Sequence, residues 1–286
     1  MSRRREIARR LDALSDIAGI MSAMKGLALM EIRILTDFLA SQQRMVFGIE
    51  DAAADFLLAH PEFASEAEAE RELCVLVGSE QGFCGDFNEA LLARMEAISK
   101  KKNMPVRWLV VGRRLASRLG ERDDVELALP GAVVADEIPA VLLRLTRELG
   151  RFMAEAKLAG YGISTLYHCD DRGDIRLRSL LPLRDLPAPA KACAYPADLN
   201  LPPEAFLRGL TGHYLYAALN AVLYSSLMAE NHQRQAHMDN ALQRLDEDSA
   251  RLQLTYNIQR REEITEEIEV ILLSADMLSE ANSEAE

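Results

Sequence analysis

Hydrophobic residues recur at helical spacing along both ends of the chain, most extensively at the C-terminal end. Between Phe206 and Leu278 there is no proline, and no glycine after Gly212, which predicts one continuous helix. At about 1.5 Å per residue this helix would be roughly 100 Å long, so most of it needs a partner to bury its apolar face. The apolar positions fall mostly three, four or seven residues apart, as in a coiled-coil seam: Leu242, Leu245, Leu252, Tyr256, Ile264, Ile268, Ile271, Ala275 and Leu278.

A second long helix is predicted at the N-terminal end. Residues 2–58 contain no proline, and their apolar side chains form one stripe at helical spacing: Ile7, Leu11, Leu14, Ala18, Met21, Met24, Ala28, Ile32, Leu35 and Leu39. Two long helices at opposite ends of one chain are most simply paired as an antiparallel coiled coil, here called the shaft. Its seam weakens between Asp246 and Arg251, where only Ser249 and Ala250 are left to fill it.

Between these helices, short apolar runs alternate with amphipathic ones. Four runs predict strands, at 73–78, 106–112, 163–169 and 175–183, and three predict helices, at 89–101, 113–120 and 138–160. The alternation predicts a small, mainly parallel, Rossmann-like sheet domain inserted between the long helices, so the fold class is α/β plus a long antiparallel coiled coil. The predicted segments are an N-terminal helix (1–60), a sheet domain (72–185), a proline-rich linker (186–203), a C-terminal helix (204–280) and an acidic tail (281–286).

Charge is segregated between the two ends of the chain. Arginines cluster within residues 3–10, whereas acidic residues crowd the C-terminal end: Glu262, Glu263, Glu266, Glu267, Glu269, Asp276, Glu280, Glu284 and Glu286. If the helices are antiparallel, the two clusters lie close together and opposite charges favour that orientation. For any single charge, a merely solvated helix face is the alternative interpretation.

Composition narrows the class of protein. The net charge of −12 argues against nucleic acid as the main partner. No run of 18 apolar residues is present to span a bilayer, and Glu6 and Asp12 interrupt any signal-peptide core, so we expect a soluble cytoplasmic protein. The four cysteines lack C-x-x-C spacing, which predicts free thiols, with Cys74 buried, and neither a disulfide framework nor a zinc site.

The segment SEQGFCGDFN, residues 79–88, is the first candidate for chemistry. A glycine-bearing turn between strand and helix can present backbone amides to an anion, but this one lacks G-x-G-x-x-G and the Lys-Ser/Thr pair of a P-loop. We therefore favour a tight structural or contact turn over nucleotide binding. Cys84 would need a base to act as a nucleophile, and His232 and His237 lie five residues apart, the wrong spacing for joint metal ligation. No catalytic residue, cofactor or metal site is predicted.

Five motifs follow one another along the chain: SAMKGLA at 22–28, GFCGDFN at 82–88, LPL at 181–183, AENHQRQAHM at 229–238 and LQLTYNIQRREEITEEI at 252–268. With the two terminal helices, they resemble the gamma subunit of rotary, F-type ATP synthases nearly from end to end. The last motif is the most specific, because the family's Leu-x-Leu-x-Tyr-Asn, Arg and Ile-Thr-x-Glu-Ile fall on Leu252, Leu254, Tyr256, Asn257, Arg260, Ile264, Thr265, Glu267 and Ile268.

This resemblance implies a central-stalk rotor subunit that transmits torque and has no active site of its own. Its partners would be the alpha, beta and epsilon subunits and the membrane c-ring, at the cytoplasmic face of a bacterial inner membrane. By the resemblance, a set of contacts to the beta subunits, here called the catch, would comprise Met24, Lys25, Arg234, Arg260, Arg261 and Thr265. The bearing tip would comprise Ile268, Leu272 and Ala275, and the contact loop of the sheet domain Gly82, Cys84, Gly85 and Asn88.

The chain departs from the family's pattern at several positions. Gly19 and Ser22 replace lysines, Asp86 replaces the second loop glycine, Arg261 replaces a glutamine, and His237, Asp239, Asn240 and Gln243 replace an alanine-rich stretch. These departures predict a divergent branch, such as the alternative, N-type-like bacterial synthase thought to run as a sodium- or proton-pumping ATPase. The competing hypothesis is a non-motor coiled-coil scaffold whose α/β domain binds a small anion, and an enzyme acting alone is a third.

Overall fold

A computed structural model describes residues 3–63, 71–101, 104–154, 161–169, 173–183 and 198–283. Five α-helices and five strands follow in the order α1 (Arg3–Ala59), β1 (Arg71–Val77), α2 (Phe87–Lys101), β2 (Val106–Val111), α3 (Arg113–Leu119), β3 (Val125–Leu129), α4 (Ile138–Ala154), β4 (Tyr161–His168), β5 (Ile175–Leu181) and α5 (Pro203–Ser283). Short 3-10 helices occupy Pro61–Phe63 and Ala135–Glu137. The described backbone forms two units, one from residues 3–26 with 238–283 and one from the described residues of 27–237.

The sheet has five strands in the order β3-β2-β1-β4-β5. The first four are parallel, and β5 runs antiparallel to β4 at the edge. Strand order reverses between β1 and β4, which makes that position the topological switch point of a doubly wound sheet. The predicted mainly parallel, Rossmann-like sheet is confirmed.

Alternation along the central strands divides the core of the 27–237 unit between the two faces of the sheet. Leu73, Val75 and Val77 of β1 pack with α4 and with parts of α1 and α5 on one face, whereas Cys74 and Leu76 pack with α2 and α3 on the other. Because both faces are covered, the central strands are continuous apolar runs, as buried parallel strands usually are. The predicted burial of Cys74, which is 1% exposed, is confirmed.

Within the 27–237 unit, α1 and α5 pack side by side and antiparallel. Phe38 stacks on Tyr224 with ring centroids 5.7 Å apart, and Phe56 approaches Phe206 at 5.1 Å. The residue number on α5 therefore falls as the number on α1 rises. A partly buried ion pair adds to this packing, because Nη2 of Arg178 on β5 lies 2.5 Å from Oε1 of Glu50 on α1.

Antiparallel pairing also holds within the other unit. Arg4 lies 2.9 Å from Glu263, and Lys25 lies 2.5 Å from Asp239, so the predicted proximity of the N-terminal arginines to the acidic end is confirmed. The Arg4 and Glu263 side chains are about one third exposed, so this pair contributes at most about 1 kcal/mol and serves orientation more than stability.

All ten residues of the predicted α1 stripe are buried or half-buried, which confirms that seam. On α5, the half-buried seam runs through Leu242, Leu245, Ser249, Leu252, Tyr256, Gln259 and Glu263. The prediction that Ile264, Ile268 and Ile271 continue the seam is wrong, because all three are at least 45% exposed. Since α1 begins at Arg3, opposite Glu263, the described part of α1 offers no partner surface beyond that point.

The structure differs from the sequence prediction at several element boundaries. Strand β3 was not predicted, and its side chains alternate between half-buried and exposed at the sheet edge. Helix α5 begins at Pro203 and continues to Ser283, past the predicted boundary with the tail at 281. Most of the predicted linker (186–203), the end of the predicted 138–160 helix and Cys193 lie outside the described residues.

Helix α1 contains an 18-residue window with a mean hydropathy of 1.3, so by length and composition alone it could cross a membrane. The same window is only 6% buried in this chain. An apolar window of this kind is also expected of a helix that packs in a larger assembly, and it is weak grounds for a membrane span.

Candidate subunit-contact residues and the loop after β1

The loop that follows β1 leaves the sheet at the switch point and leads into α2. Its exposed large hydrophobic residue is Phe83, which is 59% exposed and has a backbone φ of 64°. A positive φ is uncommon for a bulky residue and costs of order 1–3 kcal/mol, so it persists only where the surrounding structure imposes it. Gly85 follows with a φ of 59°, where glycine carries no such cost.

Asn88 and Cys84, two residues of the predicted contact loop, point into the protein. Asn88 is 4% exposed, its Oδ1 accepts a hydrogen bond from the backbone N–H of Ser79 at 3.0 Å, and its amide donates to the Ser79 hydroxyl at 2.8 Å. Cys84 is also 4% exposed and lies in the core beside α2. These two side chains hold the loop closed, so the surface that it presents comes from Gln81, Phe83, Gly85 and Asp86, with Gly82 half-buried between them.

A buried ion pair on α5 fixes the first part of this loop. Glu230 and Arg234, which are 3% and 4% exposed, form a salt bridge one helical turn apart. The Glu230 carboxylate accepts the backbone N–H groups of Glu80 at 3.3 Å and Gln81 at 3.4 Å. The Arg234 guanidinium donates to the carbonyl oxygen of Gly82 at 3.4 Å, so one ion pair holds three successive loop residues.

Burial and pairing act on the Glu230 carboxyl in opposite directions. Complete burial raises the pKa of Glu230, and the Arg234 guanidinium and the two backbone N–H donors partly offset that rise. Arg234 also donates to Oδ1 of Asn231 at 2.8 Å, so its fork is distributed over the carboxylate, an amide and the loop carbonyl. Such a pair is well satisfied, and its loss would leave a buried charge without compensation.

A second buried carboxylate, that of Glu80, joins the loop to the neighbouring segments of the sheet domain. Its Oε2 accepts the backbone N–H groups of Arg113 at 2.9 Å and Gly131 at 2.7 Å. The Arg113 side chain, which is largely exposed, closes over it as a salt bridge. Glu80 therefore fastens the start of α3 and the segment after β3 to the end of β1.

The carboxylates of Glu80 and Glu230 lie where a bound anion would lie, because they accept the backbone N–H groups that could bind it. The backbone amides at the end of β1 already serve Glu230, and those of Arg113 and Gly131 serve Glu80. The space between α5 and the ends of β1 and β2 is a cavity of about 20 Å3, which is far below the several hundred Å3 of a typical ligand site. The scaffold hypothesis with an anion site in this loop therefore loses its structural basis.

The predicted catch residues divide into paired and exposed ones. Met24 is half-buried on α1, and the neighbouring Lys25 already pairs with Asp239 on α5. Arg260 and Arg261 are exposed on α5, and Arg261 and Thr265 line one open surface hollow together with Glu262 and Glu266. The catch remains a prediction at these positions. The exposed side chains of Arg260, Arg261 and Thr265 do not pack in the core.

The predicted bearing tip lies on the part of α5 beyond its seam with α1. Ile268 is 52% exposed and Leu272 is 59% exposed, and Val270, Ile271 and Leu273 are exposed to a similar degree. The side chain of Ala275 lies outside the described part of the structure. A helix end with large apolar side chains on all sides is unusual in a protein that stays alone in water and indicates an interaction surface.

Comparison with known proteins identifies the family. The sequence profile described as ATP synthase matches residues 3–278. The chain belongs to the ATP synthase gamma family. The ATP synthase gamma chain of Syntrophobacter fumaroxidans is 28% identical over 304 residues, covering 97% of this chain and 99% of that protein. That of Moorella thermoacetica is 25% identical over 284 residues, covering 97% and 100%.

Solved structures of the same class share the fold. The rotor of the Euglena gracilis mitochondrial ATP synthase superposes with a TM-score of 0.63 at 13% identity, covering 91% of this chain and 98% of that one. The central stalk and c-ring structure from Tetrahymena thermophila gives a TM-score of 0.60 at 18% identity, covering 78% and 99%. At these identities the likeness concerns the fold, with two long terminal helices around a central sheet.

Three residues of this gamma-family chain were missed as functional candidates by the sequence analysis. Phe83 is the exposed aromatic residue of the contact loop, and Glu80 and Glu230 are the carboxylates that hold the loop. The signal available for Phe83 was its place between two glycines in GFCGD, where an exposed turn is expected. For Glu80 and Glu230, no local signal indicates that residues 150 positions apart meet.

Arg234 was predicted as a contact to another subunit, with solvation of the shaft as the alternative. Solvation is excluded for Arg234, because its side chain is 5% exposed and paired with Glu230. Its contact to another subunit stays a prediction, and in this chain its hydrogen bonds hold the loop. Within the described residues, no group of three or more His, Cys, Asp or Glu side chains is arranged to hold a metal ion.

The Cys84 thiol is expected to react slowly in the native chain. Burial raises the pKa of Cys84, and the nearby Glu230 carboxylate adds to the rise. Because only the thiolate is nucleophilic, alkylation of Cys84 at pH 8 should be more than about tenfold slower in buffer than in denaturant. Iodoacetamide labelling followed by peptide mass spectrometry measures this for each cysteine, and equal rates in the two solvents would contradict the closed loop. The half-buried Cys169 provides an internal reference.

Proposed function

We propose that this chain is the central-stalk rotor subunit of an F-type ATP synthase or ATPase, transmitting torque between a membrane c-ring and a catalytic head of alpha and beta subunits. The observation that carries the proposal is the match to gamma chains over nearly the whole length, both of this chain and of its relatives. Torque transmission needs long helices anchored in a folded base, and the parts of α1 and α5 that belong to the 27–237 unit pack directly on the sheet.

The proposed partners follow from the family and from the surfaces that the chain leaves uncovered. The exposed apolar end of α5 suits an apolar bearing formed by the alpha and beta subunits. The sheet domain would face the epsilon subunit and the c-ring, which makes the chain peripheral to the membrane at the cytoplasmic face of a bacterial inner membrane. In this role the chain is a non-catalytic subunit of an enzyme complex.

The chain also departs from its family in ways that favour a divergent branch. Asp239 is one of the residues that differ from the family's pattern, and it forms an ion pair with Lys25. This difference is therefore part of a contact between α1 and α5. We infer an alternative bacterial complex of the N-type-like kind. Genomic context tests this inference: a neighbourhood with a second, complete set of synthase genes is expected, and a lone copy among ordinary synthase genes would contradict it.

Replacing Arg260 by alanine is expected to impair coupling in the assembled complex. Arg260 is exposed, so its fork is available to a beta-subunit carboxylate. A charge-assisted hydrogen bond is worth about 1.5–3 kcal/mol, so ion transport per ATP hydrolysed should fall by roughly tenfold or more while hydrolysis falls less. Proton or sodium uptake into inverted vesicles, measured with ATP hydrolysis, checks this.

The matched control is Arg251→Ala on the same helix. Arg251 is also exposed and makes a long, 4.0 Å contact with Asp248, outside the predicted catch. Coupling should be unchanged in this variant. Equal effects of the two substitutions would show that Arg260 only solvates the helix.

Assembly tests the proposed function. The chain should be expressed with the alpha and beta subunits encoded beside it, and the expected product is a complex of three alpha, three beta and one copy of this chain whose ATPase activity requires it. The scaffold hypothesis predicts instead a homodimer that ignores both subunits. A homodimer of that kind would overturn the proposal.

A further inference from the structure

Glu31 is a buried acidic residue on α1 that joins this helix to the sheet domain. It is 8% exposed, and its Oε2 accepts the backbone N–H of Ala135 at 3.1 Å. Ala135 begins the short 3-10 helix that leads into α4, and it is 4% exposed, so water has little access to this N–H. The preceding residue, Val134, provides no side-chain cap. Glu31 therefore supplies from α1 the acceptor that the start of this helix needs.

The segment that carries Ala135 is bound at its other end by Glu80. Oε2 of Glu80 accepts the backbone N–H of Gly131 at 2.7 Å, four residues before Ala135. The backbone N–H of Glu80 in turn donates to the Glu230 carboxylate on α5 at 3.3 Å. A continuous series of hydrogen bonds therefore runs from α1 to α5 through residues 131–135 and the end of β1. We call this series the tie: Glu31 with Ala135, Gly131 with Glu80, and Glu80 with Glu230.

The tie lies close to the points where the two helices leave the 27–237 unit. Glu31 is four residues after Leu27, the first residue of this unit, and Glu230 is seven residues before His237, its last. Both residues are therefore within about two helical turns of the end of the unit on their helix. Any torque that α1 and α5 carry enters or leaves the sheet domain next to these two carboxylates.

The chemistry of the tie suits it to hold two helices in register. All three acceptors are carboxylates and all three donors are backbone N–H groups. Such charge-assisted hydrogen bonds are about twice as strong as those between neutral groups, and they are directional. The stacking of Phe38 on Tyr224, by contrast, is apolar contact that gives stability with little directional preference.

We propose that Glu31, Glu80 and Glu230 act together as one tie that keeps α1 and α5 in register under torque, with Glu31 as the positioning residue on α1. The part that concerns torque rests on the proposed rotor function, whereas the existence of the tie does not. If the three links act together, breaking the link at Glu31 loosens the links at Gly131 and Glu80 as well. A purely local helix cap at Glu31 would affect Ala135 alone.

Amide hydrogen exchange of the full-length chain, followed residue by residue with NMR, tests for the tie. Glu31→Met keeps an unbranched side chain of similar length but has no oxygen acceptor. Exchange at Ala135 should become at least about tenfold faster than in the parent, because a charge-assisted hydrogen bond is lost. Exchange at Gly131 and Glu80 should become at least about threefold faster through the connected links. Acceleration at Ala135 alone, or at none of the three amides, would overturn the proposal.

Two further variants separate the hydrogen bond from packing. Glu31→Gln keeps an oxygen acceptor, so exchange at the three amides should stay within about threefold of the parent. Asp37→Met removes an exposed acidic residue from the same helix and should leave all three amides unchanged. Equal acceleration in Glu31→Gln and Glu31→Met would overturn the proposal. If Glu31→Met does not fold, Glu31→Asp replaces it, because its shorter side chain withdraws the carboxylate from Ala135.

Ion transport by the assembled complex tests the role of the tie under torque. The opposing torque grows as ATP-driven uptake into inverted vesicles builds an ion gradient. The final gradient in Glu31→Met should be at least about twofold lower than in the parent, with equal ATP hydrolysis once the gradient is collapsed. Equal final gradients would overturn the role under torque. A parent chain that does not assemble with alpha and beta subunits would contradict the proposed function and this role with it, whereas the exchange rates would still decide whether the tie exists.

Discussion

Replacing Arg234 by alanine is expected to lower the free energy of unfolding by about 3–5 kcal/mol, because it leaves the Glu230 carboxylate buried without its cation. The same substitution removes the hydrogen bond to the carbonyl oxygen of Gly82, so the loop after β1 should loosen as well. Urea denaturation followed by circular dichroism measures the loss. Faster alkylation of Cys84 in the variant would report the loosened loop, since that thiol lies directly beyond it.

The penalty of Arg234→Ala should depend on pH. Burial already raises the pKa of Glu230, and removal of the guanidinium raises it further. Glu230 can then take up a proton at low pH, and a neutral carboxyl needs no cation. The loss of stability relative to the parent should therefore be larger at pH 8 than at pH 5.

Arg260→Ala is the matched control for this experiment. Both residues are arginines on α5, but Arg260 is exposed, so its removal should change the free energy of unfolding by no more than about 0.5 kcal/mol. Similar losses for the two variants would contradict the buried ion pair. A double variant, Glu230→Met with Arg234→Met, should recover part of the lost stability because no charge is left buried.

Replacing Gly112 by alanine is expected to cost on the order of 4 kcal/mol or to prevent folding. Gly112 lies between β2 and α3 with a φ of 114°, which other residues rarely adopt, and a Cβ there would lie 2.6 Å from the carbonyl oxygen of Gly78 and 2.7 Å from that of Ser79. Backbone strain accounts for about 1–3 kcal/mol, and the forced separation of the two turns adds a comparable amount. The backbone N–H of the next residue, Arg113, donates to the Glu80 carboxylate. The substitution should therefore disturb this hydrogen bond as well.

Replacing Gly48 by alanine, in the same unit of the structure, is expected to stabilise the protein. Gly48 is exposed on α1, and a Cβ there would meet no atom within 4 Å. Alanine is the better helix former by about 0.5–1 kcal/mol, so thermal unfolding should move to a higher temperature. A stable Gly112→Ala protein, or a destabilised Gly48→Ala protein, would contradict the backbone geometry at that position.

Local periodicity was sufficient to predict the long helices and most of the sheet. The α1 stripe was predicted correctly at every position from Ile7 to Leu39, because a helical seam repeats within a few residues. Strand β3 was missed because an edge strand with alternating exposure, here Val125–Leu129, has little apolar signal. The alternation of buried strands and helices was enough for the class of sheet, but not for its strand order.

The features that were predicted wrongly or not at all depend on residues far away in the sequence. The seam on α5 was extended through Ile264 and Ile268 because their spacing is right, but the end of the partner helix decides where a seam stops. The predicted contact of Arg234 with another subunit stays a prediction, but its role within this chain was not foreseen. Its salt bridge with Glu230 is local, one helical turn apart, whereas its hydrogen bond to Gly82 joins a helix to a loop about 150 residues away, which no local pattern reveals.

Rotation of this chain inside a head of alpha and beta subunits can be observed in a single-molecule assay. A probe can be attached to a cysteine introduced at the exposed Glu121, with Cys169 and Cys193 replaced by serine and the buried Cys74 and Cys84 kept. The alpha-beta head is fixed to a surface, and ATP is added. We expect rotation of the probe in one direction, with three pauses in each turn. A complex that hydrolyses ATP while the probe stays still would contradict it.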